Sequence, residues 1–169
     1  LKQGLDNLNA LSSAEAEAEL MKCCGSVRWA RDVAGARPFS DMDELLDAAD
    51  LAWWSLDSAD WLEAFSHHPQ IGERESERPQ AAEAARWSEE EQSGTTDAEA
   101  ETSGALAAAN RAYLQKFGYI FIVCATGKTS GEMLSLCERR LSNEPAEELR
   151  NAAEEQRRIT QLRLRKLLD

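Results

Sequence analysis

One stretch of this chain, Tyr119-Ile120-Phe121-Ile122-Val123-Cys124-Ala125, is aromatic and β-branched almost throughout, the composition of a buried strand. No second run of that kind is present to pair with it, and a lone strand leaves its backbone hydrogen bonds unmade. The segment therefore reads as extended and buried, with its N–H and C=O groups satisfied by side chains or by a ligand. The rest of the chain is rich in Ala, Leu and Glu, which are strong helix formers. The expected fold is all-α: a single compact multi-helix domain over residues 1–169, with one extended buried segment near 119–125. A chain of 169 residues can bury about 70% of its unfolded surface, enough for a core without disulfides or metals.

Helix boundaries follow from caps and periodicity. Ser12 and Glu15 form a capping-box pattern before Ala14, Ala18 and Met21, predicting a helix over 12–23 with Gly25 as its C-cap. Trp29, Val33 and Ala36 suggest a short helix that stops at Arg37-Pro38. Asp41 opens a third, with Leu45, Leu46, Ala49, Ala52 and Trp53 on its apolar side. Ser58 is expected to cap a fourth, which must end near His68 because Pro69 disfavours helical backbone before it. Residues 70–87 read as a charged, mostly exposed connection with one short helix, and Ser88 is expected to start the next helix. Leu106, Ala109, Asn110, Tyr113, Leu114 and Phe117 make an amphipathic stripe ending at Gly118. Residues 131–141 and 144–168 are two further helices.

The net charge of −12, with 31 acidic against 19 basic residues, argues against a nucleic-acid partner, which requires clustered cations. It also means that an anionic substrate needs a local cation. Cys23, Cys24, Cys124 and Cys137 lack the C-x-x-C spacing of zinc or redox sites and read as free thiols of a reducing compartment. No run approaches the roughly 20 apolar residues that cross a bilayer. The first eleven residues are polar and mixed, unlike a signal peptide, and Lys166-Leu167-Leu168-Asp169 is not a peroxisomal tripeptide. A cytoplasmic protein with no membrane partner is expected.

Few residues stand out as chemical. His67 and His68 are the only histidines, and Pro69 holds His68 in extended backbone at a helix end, which fixes its ring direction. A helix-terminal role, bonding the last carbonyls, explains the same placement. Zinc wants three or four ligands, and two adjacent histidines rarely point the same way. Ser88 and Glu91 make an S-x-x-E pattern that either serves only a helix start or offers free N–H groups to an anionic or carbonyl-rich ligand. Arg163 falls on the apolar face of the last helix with Leu149, Ala152, Ala153, Gln156, Ile159 and Leu167, so its cation needs an anionic partner. That partner is either an internal acid or a substrate carboxylate. Gly127-Lys128-Thr129 looks like the end of a phosphate-binding loop, but the glycine required five residues earlier is Ile122. Trp29, Trp53, Trp54, Trp61 and Trp87 read as core or interface.

Taken in order, these pieces resemble one family, the 2-oxo-4-hydroxy-4-carboxy-5-ureidoimidazoline decarboxylases. The resemblance runs from Leu5 to Leu168 through Cys23-Cys24-Gly25-Ser26 with Trp29, and Arg37-Pro38-Phe39. It continues through His68-Pro69 with Ile71-Gly72, Glu91-Gln92-Ser93-Gly94, and Asn110, Tyr113 and Phe117-Gly118. It closes on Phe121-Ile122-Val123-Cys124-Ala125, Gly127-Lys128, Glu155, Ile159 and Leu162-Arg163-Leu164. It implies an all-α homodimeric carboxy-lyase of urate breakdown, acting on a small ureidoimidazoline without cofactor or metal. By the same resemblance His68 is the catalytic acid and Glu91 lies beside it. Pro69, Ser88, Glu89, Glu90, Gln92, the backbone of Phe121, Ile122, Val123, Cys124 and Ala125, and Arg163 would bind the substrate.

The substrate carries its carboxylate next to a ring C=N, which accepts the electrons that carbon dioxide leaves behind. That is why no pyridoxal phosphate, thiamine or metal motif is needed. A non-catalytic helical binding or adaptor module explains the acidic surface and the tryptophans equally well. It differs in predicting that His68 and Glu91 are dispensable and that Arg163 is paired internally.

Overall fold

The computed structural model describes residues 2–69, 82–91 and 100–169. Among them are nine helices: α1 (Lys2–Ala10), α2 (Ser13–Met21), α3 (Val27–Gly35), α4 (Met42–Ser55), α5 (Ser58–Ser66), α6 (Ala82–Glu91), α7 (Ala100–Phe117), α8 (Ser130–Arg140) and α9 (Pro145–Leu168). No strand occurs among the described residues, and 119–125 is irregular. The all-α expectation and the unpaired buried segment both hold.

The helices group into two compact units, Leu1–Ala64 with Arg157–Asp169, and Phe65–Gln156. In the first, local caps set the helix starts. Ser12 and Glu15 complete their capping box before α2, and Asp41 accepts from the Glu44 N–H before α4. Ser26 caps α3 through the Trp29 N–H, and the buried Trp29 indole donates to the Ala49 carbonyl at 3.0 Å, tying α3 to α4. Arg37 gathers the carbonyls of Leu8, Leu11 and Ala34, which explains why the chain after α3 turns back over the end of α1. Asn9 and Phe39 exchange side-chain and backbone hydrogen bonds at 2.8 and 2.9 Å. A Cβ on Gly4 would lie 2.3 Å from the Leu168 carbonyl oxygen, so only glycine lets α1 approach the end of α9 this closely.

Two expected caps are placed differently. Helix α2 ends at Met21 with Lys22 as C-cap in ordinary helical conformation, so Gly25 lies beyond the cap. The side chain that caps α5 is Asp57, accepting from the N–H groups of Ala59 and Asp60, and Ser58 is already the first helical residue. A carboxylate one position earlier reaches the same free N–H groups that Ser58 was expected to satisfy.

The second unit is built on the α7 stripe. Leu106, Ala109 and Tyr113 pack with Phe121, Val123, Ala125, Met133 and Cys137 in one apolar cluster. Gly118, at φ +81°, ends α7 and turns the chain into the buried segment. Gly127, at φ +77°, turns it out again toward Thr129. Thr129 and Glu132 then form a capping box that starts α8.

Candidate active site

The histidine pair is placed by the end of α5. The helix stops at Ser66, and the His68 N–H still reaches back to the Phe65 carbonyl at 3.2 Å. His67 is exposed, whereas His68 is half-buried. Nε2 of the His68 ring is hydrogen-bonded with Oε1 of Gln156 at 2.6 Å, and Gln156 is fully buried on α9. That contact joins residues 88 apart in the chain, and periodicity alone gave no sign of it. A signal was present in Gln156 itself, because an amide on a buried helix face must find a partner.

Ser88 does not start a helix. It is buried within α6, six helical residues after Ala82, and Glu91 is the last described residue of that helix. The S-x-x-E pattern is therefore internal to a helix that Ala82–Trp87 begin, and the free N–H groups invoked for a ligand are not at Ser88. Glu91 is half-buried and Glu90 exposed, and Pro69 is half-buried directly after His68. Gln92 and the Glu89 side chain lie outside the described residues.

Phe121, Ile122, Val123, Cys124 and Ala125 are all buried. Much of their main chain is held by side chains, as a lone buried segment requires. The Ile122 carbonyl accepts from Arg140 Nη1 at 2.7 Å. The Cys124 N–H donates to Glu155 Oε2 at 2.7 Å, and the Cys124 carbonyl accepts from Lys128 Nζ at 2.8 Å. The Ala125 carbonyl accepts from the Lys128 N–H. Burial pushes the Cys124 thiol above its ordinary value; Lys128 opposes this, while the Glu155 and Glu91 carboxylates add to it. Glu91 is thus within electrostatic reach of the segment. Glu155 and Gln156, adjacent in α9, anchor Cys124 and His68 respectively.

Behind the segment is a buried polar cluster that sequence reasoning did not find. Glu148, fully buried, accepts from Tyr113 Oη at 2.5 Å and from Arg140 Nε at 2.6 Å, and Asn143 Nδ2 supplies a further bond at 2.9 Å. The Arg140 guanidinium also lies over the Phe121 ring, 4.8 Å from its centroid. Burial pushes the Tyr113 hydroxyl far above its ordinary value; the Arg140 charge opposes this and the bond to Glu148 adds to it. The cluster fixes Ile122 and Phe121 from α7, α8 and α9 together.

Arg163 belongs to the first unit and is 5% exposed. Its charge lowers the thiol values of Cys23 and Cys24 against the stronger opposing effect of burial. All four cysteines are free thiols. Among the described residues no group of three or more His, Cys, Asp and Glu side chains is gathered to hold a metal.

An irregular buried segment and a helix-end histidine, bound by the adjacent Glu155 and Gln156 of α9 on an all-α scaffold, define the class of site this chain carries. Residues 9–165 match the family model described as OHCU decarboxylase. The chain belongs to the OHCU decarboxylase family. It is 39% identical over 151 residues to the uric acid degradation bifunctional protein TTL of Arabidopsis thaliana, covering 89% of this chain and 47% of that protein. It is 35% identical over 101 residues to the 2-oxo-4-hydroxy-4-carboxy-5-ureidoimidazoline decarboxylase of Amia calva, covering 60% and 57%. The chain thus spans about half the length of these two curated relatives. A crystal structure of OHCU decarboxylase in the presence of (S)-allantoin superimposes with a TM-score of 0.77 at 38% identity, covering 89% of this chain and 96% of that one.

Proposed function

We propose that this chain catalyses the cofactor-independent decarboxylation of 2-oxo-4-hydroxy-4-carboxy-5-ureidoimidazoline to (S)-allantoin, and that it does so as a homodimer. The observation that carries the reading is the likeness to the OHCU decarboxylase structure obtained with (S)-allantoin, a match that covers 89% of this chain and 96% of that one.

In the proposed reaction the bond from the ring carbon to its carboxylate breaks and carbon dioxide leaves. The electron pair forms a C=C bond to the imine carbon while the C=N π pair moves onto nitrogen, which takes a proton. The resulting enol then takes a proton on the former imine carbon and releases its hydroxyl proton to give the carbonyl. The face that receives the proton sets the handedness of the product. His68 is the proposed proton-transfer group, suited to the task because an ordinary imidazole titrates near neutral pH. Glu91 is assigned to orienting the imidazole and favouring its protonated form. Arg163 is assigned to an anionic or carbonyl group of the substrate through its planar fork. The ureido arm is assigned to backbone groups of 121–125. Because the fold already uses the Cys124 N–H and the carbonyls of Ile122, Cys124 and Ala125, that role falls to the segment's remaining main-chain groups, with Val123 at its centre.

The test is turnover of freshly generated substrate followed by circular dichroism of the allantoin, with His68→Ala alongside. The substrate also decays spontaneously to racemic allantoin, so the signal is faster, one-handed product. Wild type should give it and folded His68→Ala should not. Racemic product at the background rate from wild type would overturn the proposal and leave a binding module.

A further inference from the structure

The His68–Gln156 contact has a chemical direction. Oε1 of an amide can only accept, so the ring nitrogen facing it, Nε2, carries the proton. An imidazole with Nε2–H fixed has one nitrogen left to titrate, Nδ1. The acceptor is also neutral. A carboxylate in its place would stabilise the imidazolium and hold the ring charged. An amide satisfies Nε2–H in both the neutral and the charged ring, and so orients the histidine without biasing its charge. The contact is mutual, since turning the ring away would break this hydrogen bond of the fully buried Gln156 as well. The pair is also braced: the preceding residue, Glu155, is bound to the Cys124 N–H of the buried segment, so the α9 backbone that presents Gln156 is tied to a second part of the site.

We infer that Gln156 is a positioning residue of His68, holding the ring through Nε2–H and so fixing its tautomer and direction. The kinetic part of this inference rests on the decarboxylase reading. The tautomer part does not.

Ring-nitrogen NMR of the whole chain tests it directly, because there are only two histidines to resolve and His67→Gln assigns them. Above the titration range His68 in wild type should carry its proton on Nε2. Gln156→Met, similar in size but unable to accept in the same way, should give a mixture of tautomers. It should also lower kcat about tenfold, the loss typical of one well-made hydrogen bond, with KM within about twofold. Gln156→Glu, isosteric and still an acceptor, should keep Nε2–H and raise the His68 titration by about one pH unit, moving the corresponding limb of the pH–rate profile the same way.

A wild-type Nδ1–H tautomer overturns the inference, as does a folded Gln156→Met with an unchanged tautomer and pH profile. If Gln156→Met does not fold, Gln156→Glu decides, and an unmoved titration counts against. If the tautomers behave as expected while wild type gives only racemic product, the decarboxylase reading falls and the positioning of His68 stands.

Discussion

Glu155 reaches out of α9 to take the Cys124 N–H at 2.7 Å, so a helix side chain stands where a neighbouring strand would be. This is how an isolated run with strand composition survives in an all-α protein. The Cys124 N–H and the carbonyls of Cys124 and Ile122 are taken up by Glu155, Lys128 and Arg140, contributed from outside the segment.

Glu155→Ala should therefore loosen the segment. A buried N–H left without an acceptor costs about 1–3 kcal/mol, to be read as a lowered urea midpoint with unchanged slope. If backbone groups of 121–125 bind the ureido arm, KM should rise about tenfold, the factor carried by 1.4 kcal/mol. A stability loss with an unmoved KM would detach the segment from substrate binding.

The Arg140–Glu148–Tyr113 cluster predicts a larger and purely structural effect. Glu148→Ala leaves the buried Arg140 guanidinium without its countercharge, and breaking a buried pair from one side costs roughly 3–5 kcal/mol. Tyr113→Phe removes the short hydrogen bond to Glu148 and a longer one from Arg140 but leaves the ion pair in place, and should cost less, roughly 1.5–3 kcal/mol. Denaturant unfolding of both variants checks the order, and a Tyr113→Phe loss equal to that of Glu148→Ala would contradict it.

The helices were legible because their signals are local. Capping side chains at Ser12 and Asp41 and the α7 stripe are read within a few residues, and α9 shows its buried face in its own period. Where locality misled, two patterns competed for one place. S-x-x-E at Ser88 and Glu91 describes a helix start, yet Ala82–Trp87 are themselves helix formers and carry α6 through it. Asp57 displaced Ser58 for a similar reason. The partners in the site are another matter. Gln156 was visible as a buried polar residue, but its pairing with His68 spans 88 positions and depends on packing that no period encodes. Glu148 escaped notice because a single acid among many looks like surface until its helix face is known.

The buried thiols set a limit on alkaline stability. Burial pushes Cys24 and Cys137 up to about 12 and Cys23 higher still, and the Arg163 charge only partly offsets this at Cys23 and Cys24. In the unfolded chain a thiol titrates near 8.5. The folded value is the higher one, so the stabilisation is fully present below about pH 8.5 and is lost as pH rises toward 12. Each thiol removes up to about 1.4 kcal/mol per pH unit in that window. Urea unfolding between pH 7.5 and 10 should show stability falling above pH 8.5. Cys24→Ala and Cys137→Ala should each flatten the fall, and an unaltered slope in both would rule the thiols out as its cause.

His67 and His68 should separate cleanly despite being neighbours. His67 is exposed and His68 is half-buried with its ring on Gln156. His67→Asn should leave one-handed allantoin formation within about twofold of wild type, while His68→Asn should lose about 10²–10⁴-fold, the usual contribution of a positioned acid–base group. Equal losses in the two variants would mean that the loop, and not one ring, carries the effect.

Arg163 separates substrate binding from internal pairing. At 5% exposure its guanidinium is buried on α9 near Ile159, Thr160 and Leu164, and a cation in that setting requires a counterpart. Arg163→Lys keeps the charge and most of the length but replaces a planar two-pronged donor with a point charge. A clamp on a planar carboxylate or carbonyl group depends on the fork, so Arg163→Lys should raise KM about tenfold, with a stability change small enough to keep the protein folded throughout the assay. A purely internal pair behaves in the opposite way: KM stays put for the folded fraction, and Arg163→Ala costs roughly 3–5 kcal/mol by leaving its partner buried and uncompensated. We expect the first pattern. Kinetics and denaturant unfolding on the same two variants distinguish them, because each reading predicts a change in the measurement that the other leaves unmoved.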